Sequence, residues 1–289
     1  MTNIFEAELE RLASIDNRKP MDYEQDGILH CGICHEPKQA WIEWIPDAEG
    51  KREKRLVPVT CRCYEEEERR EREKIEAQKF KERLGYLRDT ICGGSQDFIK
   101  QTFAVDDSAD SAISRTCRSY VAQWNKMLTD NMGILFYGSK GTGKSFYAAC
   151  IANALAEKRI TTAMTSTAQL MTVLAKWDKE EVMDAIRRVR LLVLDDLGAE
   201  RDTTYSAEIM YNVINERSKT GRPTIITSNF ALADMQAETD IWRSRIYDRV
   251  IEMCPIAIKM QGESRRSAAA EERRKIAREI LAAAMKGEE

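Results

Sequence analysis

An α/β fold, a parallel sheet with helices on both faces, is the class the sequence predicts, and three observations carry it. Residues 138–145 read Gly-Ser-Lys-Gly-Thr-Gly-Lys-Ser, a complete G-x-x-x-x-G-K-S phosphate loop. Apolar strand-like runs alternate with helical stretches from about 98 to 262, the pattern of a sheet with crossover helices. One of those runs, RLLVLDDLGAE (190–200), ends in two carboxylates. In such sheets phosphates bind at the carboxyl ends of the strands, so the loop and the acids are expected at one edge.

The elements follow in order. Strands are predicted at 133–137, 161–165, 190–195, 223–228 and 255–260, with helices at 143–158, 167–188 and 203–219 between them. The run GILFY before the loop reads as a strand and FYAACIANALAEK after it as a helix, which is the context the loop requires. Gly138, Gly141 and Gly143 let the loop amides, those of Ser139 and Thr142 included, turn inward around a polyphosphate. Lys144 supplies a point charge to the β- and γ-phosphates and Ser145 a hydroxyl to Mg²⁺. The chain is therefore expected to bind a nucleoside triphosphate.

Asp195, at the tip of the acidic strand, suits Mg²⁺ alongside Ser145, and Asp196 suits activation of an attacking water. Aspartates after a strand also serve as turn residues or helix caps. In PTIITSNF (223–230) Asn229 stands where it can hydrogen-bond a γ-phosphate or the lytic water, although Asn also caps turns.

The remaining chain differs in texture. Residues 1–18 carry a short apolar stripe. Residues 64–83 hold eight acidic and seven basic residues, with Glu65/Arg69, Glu66/Arg70 and Glu68/Arg72 spaced for an exposed connecting helix. After Gly262 an alanine-rich, charged run reads as a terminal helix. The formal net charge of −3 announces no nucleic acid, so any such binding must come from a local groove. Without a membrane-length apolar run or a signal-peptide pattern, a cytoplasmic location with reduced thiols is expected for the eight cysteines.

Four of those cysteines, Cys31-x2-Cys34 and Cys61-x-Cys63, form two close pairs bridged by a hairpin-like segment, as tetrahedral Zn²⁺ sites are usually assembled. His30 or His35 could replace one thiol. Cys92, Cys117, Cys150 and Cys254 are isolated and expected as buried small hydrophobes.

The order of phosphate loop, LDDLGAE and TSN resembles the AAA+ ATPases of the DnaC/DnaI helicase-loader and IstB group over roughly residues 98–266. The stretch WRSRIYDRV (242–250) is similar to that group's ER-x-x-DR segment. The resemblance implies ATP as the nucleotide, Asn229 at sensor I and Arg245 as an arginine finger acting on a neighbouring subunit. GESRR (262–266) implies Arg266 at sensor II, with Arg265 as the alternative. Many AAA+ enzymes place Glu where this chain has the shorter Asp196, so slow or partner-dependent hydrolysis is expected. The implied layout is a zinc-binding, helicase-docking module at 1–63, a charged linker helix at 64–92, an AAA+ domain at 93–266 and a charged tail at 267–289. The implied partners are the hexameric replicative DNA helicase, single-stranded DNA and further copies of the chain, with no membrane. A transposition helper of the IstB type and a small-molecule ATPase or kinase are the competing readings. A plain DNA-binding zinc ribbon competes for the amino-terminal module.

Overall fold

Residues 18–43, 54–93, 98–198, 203–262, 264, 271 and 273–278 are described by the computed structural model of the chain, which divides into two compact units between Lys79 and Phe80. The stripe at 1–17 and much of the terminal run lie outside the described residues; within the latter, 273–278 are helical.

In the first unit, strands β1 (Tyr23–Gln25) and β2 (Ile28–His30) form an antiparallel hairpin. Its turn is Asp26-Gly27, both at positive φ (53° and 73°), the backbone that two-residue hairpins favour and that Gly adopts without strain. Strands β3 (Gln39–Glu43) and β4 (Lys54–Pro58) pair antiparallel as a second ribbon. An ion pair holds the small core: Lys38 Nζ donates to Asp22 Oδ2 at 2.6 Å, with side chains 5% and 2% exposed. Burial alone would raise the Asp22 carboxyl, but the Lys38 ammonium and the amides of Lys19 and Gly32 outweigh it and hold it at about 2. That contribution to stability is present above the ordinary carboxyl value of 3.8 and is lost as pH falls through about 2.

Helix α1 (Arg62–Cys92) begins after this unit's ribbons. Its exposed face shows the expected pairs, Glu66–Arg70 and Glu68–Arg72, at 3.8 and 2.7 Å. Its last turns change character. Leu87, Ile91 and Cys92 are buried in the core of the second unit.

The second unit is a five-stranded parallel sheet in the order β6-β7-β8-β5-β9. A short 3₁₀ turn (Phe103–Val105) and helices α2 (Ala112–Ala122) and α3 (Trp124–Thr129) precede it. Then come β5 (Ile134–Gly138), α4 (Lys144–Glu157), β6 (Thr162–Ser166), α5 (Thr167–Lys176), α6 (Lys179–Arg188) and β7 (Leu191–Leu197). The unit continues with α7 (Thr204–Lys219), β8 (Thr224–Ser228), α8 (Leu232–Gln236), α9 (Ile241–Met253) and β9 (Ile256–Met260). The single helix expected at 167–188 is two, because Trp177 leaves helical geometry and Asp178 caps a new start by accepting from the Glu181 amide.

Period-two alternation puts helices on both faces, as expected. Leu135, Leu192, Leu194 and Ile226 pack towards α5, α6, α7 and α9, while Ile134, Phe136, Leu191, Val193 and Ile225 pack towards α2 and α4. Edge strand β6 is covered by α1: Arg88 Nε donates to the Thr162 carbonyl at 3.2 Å and Cys92 Sγ to the Met164 carbonyl at 3.0 Å. Cys92, Cys117, Cys150 and Cys254 are all buried, and burial pushes their thiols up. Among the described residues, no helix is long and apolar enough to cross a membrane.

Arg217 of α7 is wholly buried. Its guanidinium donates to the carbonyls of Ile186, Val189, Arg190 and Pro223 and to Thr224 Oγ1, at 2.7–3.1 Å. Burial, with the nearby Arg222, lowers it to about 9, so it is charged at neutral pH, and the charge is met by those four carbonyls and the Thr224 hydroxyl. One planar fork thus ties the end of α6 to the starts of β7 and β8. Arg217→Ala is expected to cost about 3 kcal/mol or more, because it strips donors from buried carbonyls. Arg217→Lys should recover only part, having three donors rather than five. Urea denaturation of the three proteins checks both outcomes.

Candidate functional site

The phosphate loop joins β5 to α4, and its geometry is set at both ends. Gly141 has φ +81°, and a Cβ there would lie 2.1 Å from Ser264 Oγ, so the loop accepts no side chain at that point. Thr142 Oγ1 donates to the Ser139 carbonyl at 2.9 Å, closing the loop on itself. Helices α2, α5, α6, α7 and α9 each have a side-chain N-cap, whereas α4 starts after Gly143 with none. Its amino end thus faces the loop without a side-chain cap, at the end where the helix dipole favours an anion.

Lys144 is 5% exposed, and its ammonium donates to the carbonyls of Gly138 and Ser139 at 2.9 and 2.7 Å and to Asn229 Oδ1 at 2.8 Å. This last bond joins the loop to the end of β8, uniting two segments that lie 85 positions apart.

The acids at the tip of β7 are held by a hydroxyl the sequence reading passed over. Between Leu194 and Leu197 the register of β7 against β8 slips by one residue. Asp196 takes up the bulge at φ +55°, a left-handed conformation that Asp tolerates better than most residues. Thr227 Oγ1 donates to Asp195 Oδ1 at 2.6 Å and accepts from the Asp196 amide at 2.9 Å. From the other side Thr167 Oγ1 donates to the Asp196 carbonyl at 3.0 Å. Asp195 is thereby a buried carboxylate of fixed orientation, and the Asp196 backbone is clamped at both its polar groups. Ser145 and Asp195 are the residues that would hold Mg²⁺. The signal for Thr227 was present as TSN, but a strand-end hydroxyl is commonplace and only the bulge gives it a task.

Arg245 lies on α9 with its side chain exposed; among the described residues, the bonds of the Lys144 ammonium go to Gly138, Ser139 and Asn229 and not to Arg245. Arg249 pairs with Glu252 at 2.7 Å, whereas among the described residues Arg245 has no carboxylate partner. Arg266 and Arg265 lie outside the described residues.

In the first unit the sulfurs of Cys31, Cys34 and Cys61 all lie within 4.8 Å of one another. Cys63 hydrogen-bonds to Cys34, which is the main reason its thiol is pushed up to about 11. Cys31 is pulled down to about 7 by the amides of Cys34 and Ile33, while burial raises Cys61. The sulfurs of Cys31, Cys34 and Cys61 form a soft donor set of the kind Zn²⁺ takes, with Cys63 beside Cys34 but outside that group, and sulfurs around one tetrahedral zinc stand about 3.8 Å apart. His30 Nδ1 donates to the Ile28 carbonyl at 3.0 Å and His35 Nδ1 meets the Tyr23 hydroxyl at 3.2 Å; neither belongs to the sulfur group.

With this geometry in view, the model of the family described as IstB-like ATP binding protein matches residues 67–273, well over half the chain. The chain belongs to this family. It thereby shares the family's ATP-binding character, and the fold is the AAA+ class expected from the motifs. Similar members include the replicative helicase loader DnaI of Bacillus subtilis, 27% identical over 188 residues, covering 59% of this chain and 60% of that protein. The replicative helicase loader DnaC of Escherichia coli K12 is 26% identical over 146 residues, covering 48% and 57%. The chain thus spans 60% or less of the length of these relatives. A crystal structure of DnaI aligns with a TM-score of 0.49 at 25% identity, over 59% of this chain and 93% of that one.

Thr227→Val keeps the shape of the side chain but removes both bonds to the acids. It is expected to raise the Mg²⁺ concentration needed for half-maximal ATP binding about tenfold, from the loss of a hydrogen bond to a charged group. Titration with a fluorescent ATP analogue checks this, with Lys144→Ala as the variant that loses affinity with or without Mg²⁺.

Proposed function

We propose that the chain is an ATP-dependent loader of the replicative DNA helicase that also binds single-stranded DNA during replication initiation. The observation that carries this reading is the joining of Lys144, Asn229 and the β7 acids at one sheet edge, in a family whose similar members are helicase loaders. Asp195 and Ser145 hold Mg²⁺, Asp196 orients and deprotonates the lytic water, and Asn229 passes from Lys144 to the γ-phosphate or that water when ATP arrives. Arg245 works in trans on the nucleotide of a neighbouring copy, and Arg266 is the second sensor. Hydrolysis is slow, because Asp196 reaches one methylene less far than Glu.

In this reading Cys31, Cys34, Cys61 and Cys63 hold one structural Zn²⁺, and the module they staple docks on the helicase. A metal stabilises a small fold independently, which suits a docking element on a charged helix. The family's name keeps the transposition-helper reading in play, and partner choice separates the two.

Three outcomes are expected. Elemental analysis of protein prepared under reducing, chelator-free conditions should give one zinc per chain, lost in Cys63→Ser and kept in His35→Ala. The full chain should capture the replicative helicase rather than a transposase in pull-downs, and do so without ATP; capture of the transposase alone would favour the helper. Arg245→Ala should bind ATP normally but hydrolyse it poorly, and mixing it with Lys144→Ala should restore turnover. Absence of recovery at every ratio in a co-assembling preparation would assign Arg245 to its own chain.

A further inference from the structure

The surroundings of Arg245 contain an arrangement that the motif does not specify. Trp242 lies three residues earlier on α9, hence on the same face, and the Arg245 guanidinium sits 5.7 Å from its ring centroid. The indole is itself fixed. Tyr211 of α7 meets it nearly edge-on, with centroids 5.7 Å apart and planes at 61°, and Asp240, the helix N-cap, accepts from the Trp242 backbone amide at 3.1 Å and so fixes the turn from which the ring projects. One turn further on, Arg249 spends its charge on Glu252.

The difference between those two arginines is physical. A carboxylate partner orients a guanidinium but also neutralises it. An aromatic face narrows the rotamers of a long side chain and leaves its charge and N–H donors free for an anion from outside the chain. Arg245 is exposed, and among the described residues the indole is its partner and no carboxylate pairs with it. We infer that Trp242, backed by Tyr211, is a positioning residue that holds Arg245 in readiness for the triphosphate of a second copy of this chain. The inference rests on Arg245 acting in trans, as proposed above.

The test is a double-mutant cycle in ATP hydrolysis by the full chain, using Trp242→Ala, Trp242→Phe, Arg245→Ala and the pair Trp242→Ala/Arg245→Ala. Melting temperature and ATP affinity are measured for each protein. Trp242→Ala should lower kcat about two- to five-fold, the range of an exposed cation–π contact, with KM for ATP unchanged. Trp242→Phe should restore most of the rate. Trp242→Ala should add nothing to the loss already caused by Arg245→Ala. Full turnover by Trp242→Ala beside an impaired Arg245→Ala would overturn the inference and leave the trans reading standing. An equal, additive loss in both backgrounds would also overturn it, by showing that Trp242 acts on folding alone. Full turnover by Arg245→Ala would overturn the trans reading itself, and this inference with it.

Discussion

Strand β8 lies between the phosphate-loop strand β5 and the acidic strand β7, so contacts between the loop and the acids pass through residues at its carboxyl end. Three consecutive polar residues there divide the task. Thr227 takes Asp195 and the Asp196 amide, Ser228 donates to the Leu197 carbonyl at 2.9 Å, and Asn229 accepts from Lys144. The opposite end of the same strand is held by Arg217 through Pro223 and Thr224. A displacement of β8 would therefore move the Lys144 ammonium, the Asp195 carboxylate and the bulged Asp196 together. Their mutual placement is a property of one strand rather than of three loops.

Much of this was legible in the residues. Fixed spacing in the phosphate loop, two acids after an apolar run and alternating strand and helix periodicity each reflect local chemistry, and local chemistry is what a sequence displays. The tertiary contributions were not. The bulge at Asp196 depends on how β7 and β8 are registered, and nothing in LDDLG announces a left-handed Asp. Arg217 reads as one more charge near a helix end, because its carbonyl partners come from segments on either side of it in the sequence. Trp177–Asp178 broke a helix expected to run through, where an N-cap outweighed continuous periodicity. The charged helix shows why composition misleads at boundaries: its first part obeys the solvent and its last turns obey the core.

The first unit solves a different problem. Its ribbons are too short to bury much apolar surface, and Trp41 and Ile33 are among the large side chains they leave exposed. Its polar features are a buried ion pair at Asp22–Lys38 and the close grouping of the Cys31, Cys34 and Cys61 sulfurs. The ion pair needs both partners, since a single buried charge would cost stability where the pair is tolerated. Such a unit is expected to lose its structure in one step rather than by degrees.

The covering of β6 by α1 has a bearing on how the chain avoids itself. An uncovered edge strand presents a row of carbonyls and amides to any passing chain, and proteins shield such edges with helices, charges or bulges. Here Arg88 and Cys92, one helical turn apart, meet alternate carbonyls of β6, those of Thr162 and Met164. A fragment starting at residue 93 would present those carbonyls unshielded. That exposed edge would be a pairing hazard unrelated to nucleotide chemistry, which a fragment starting at Phe80 keeps covered.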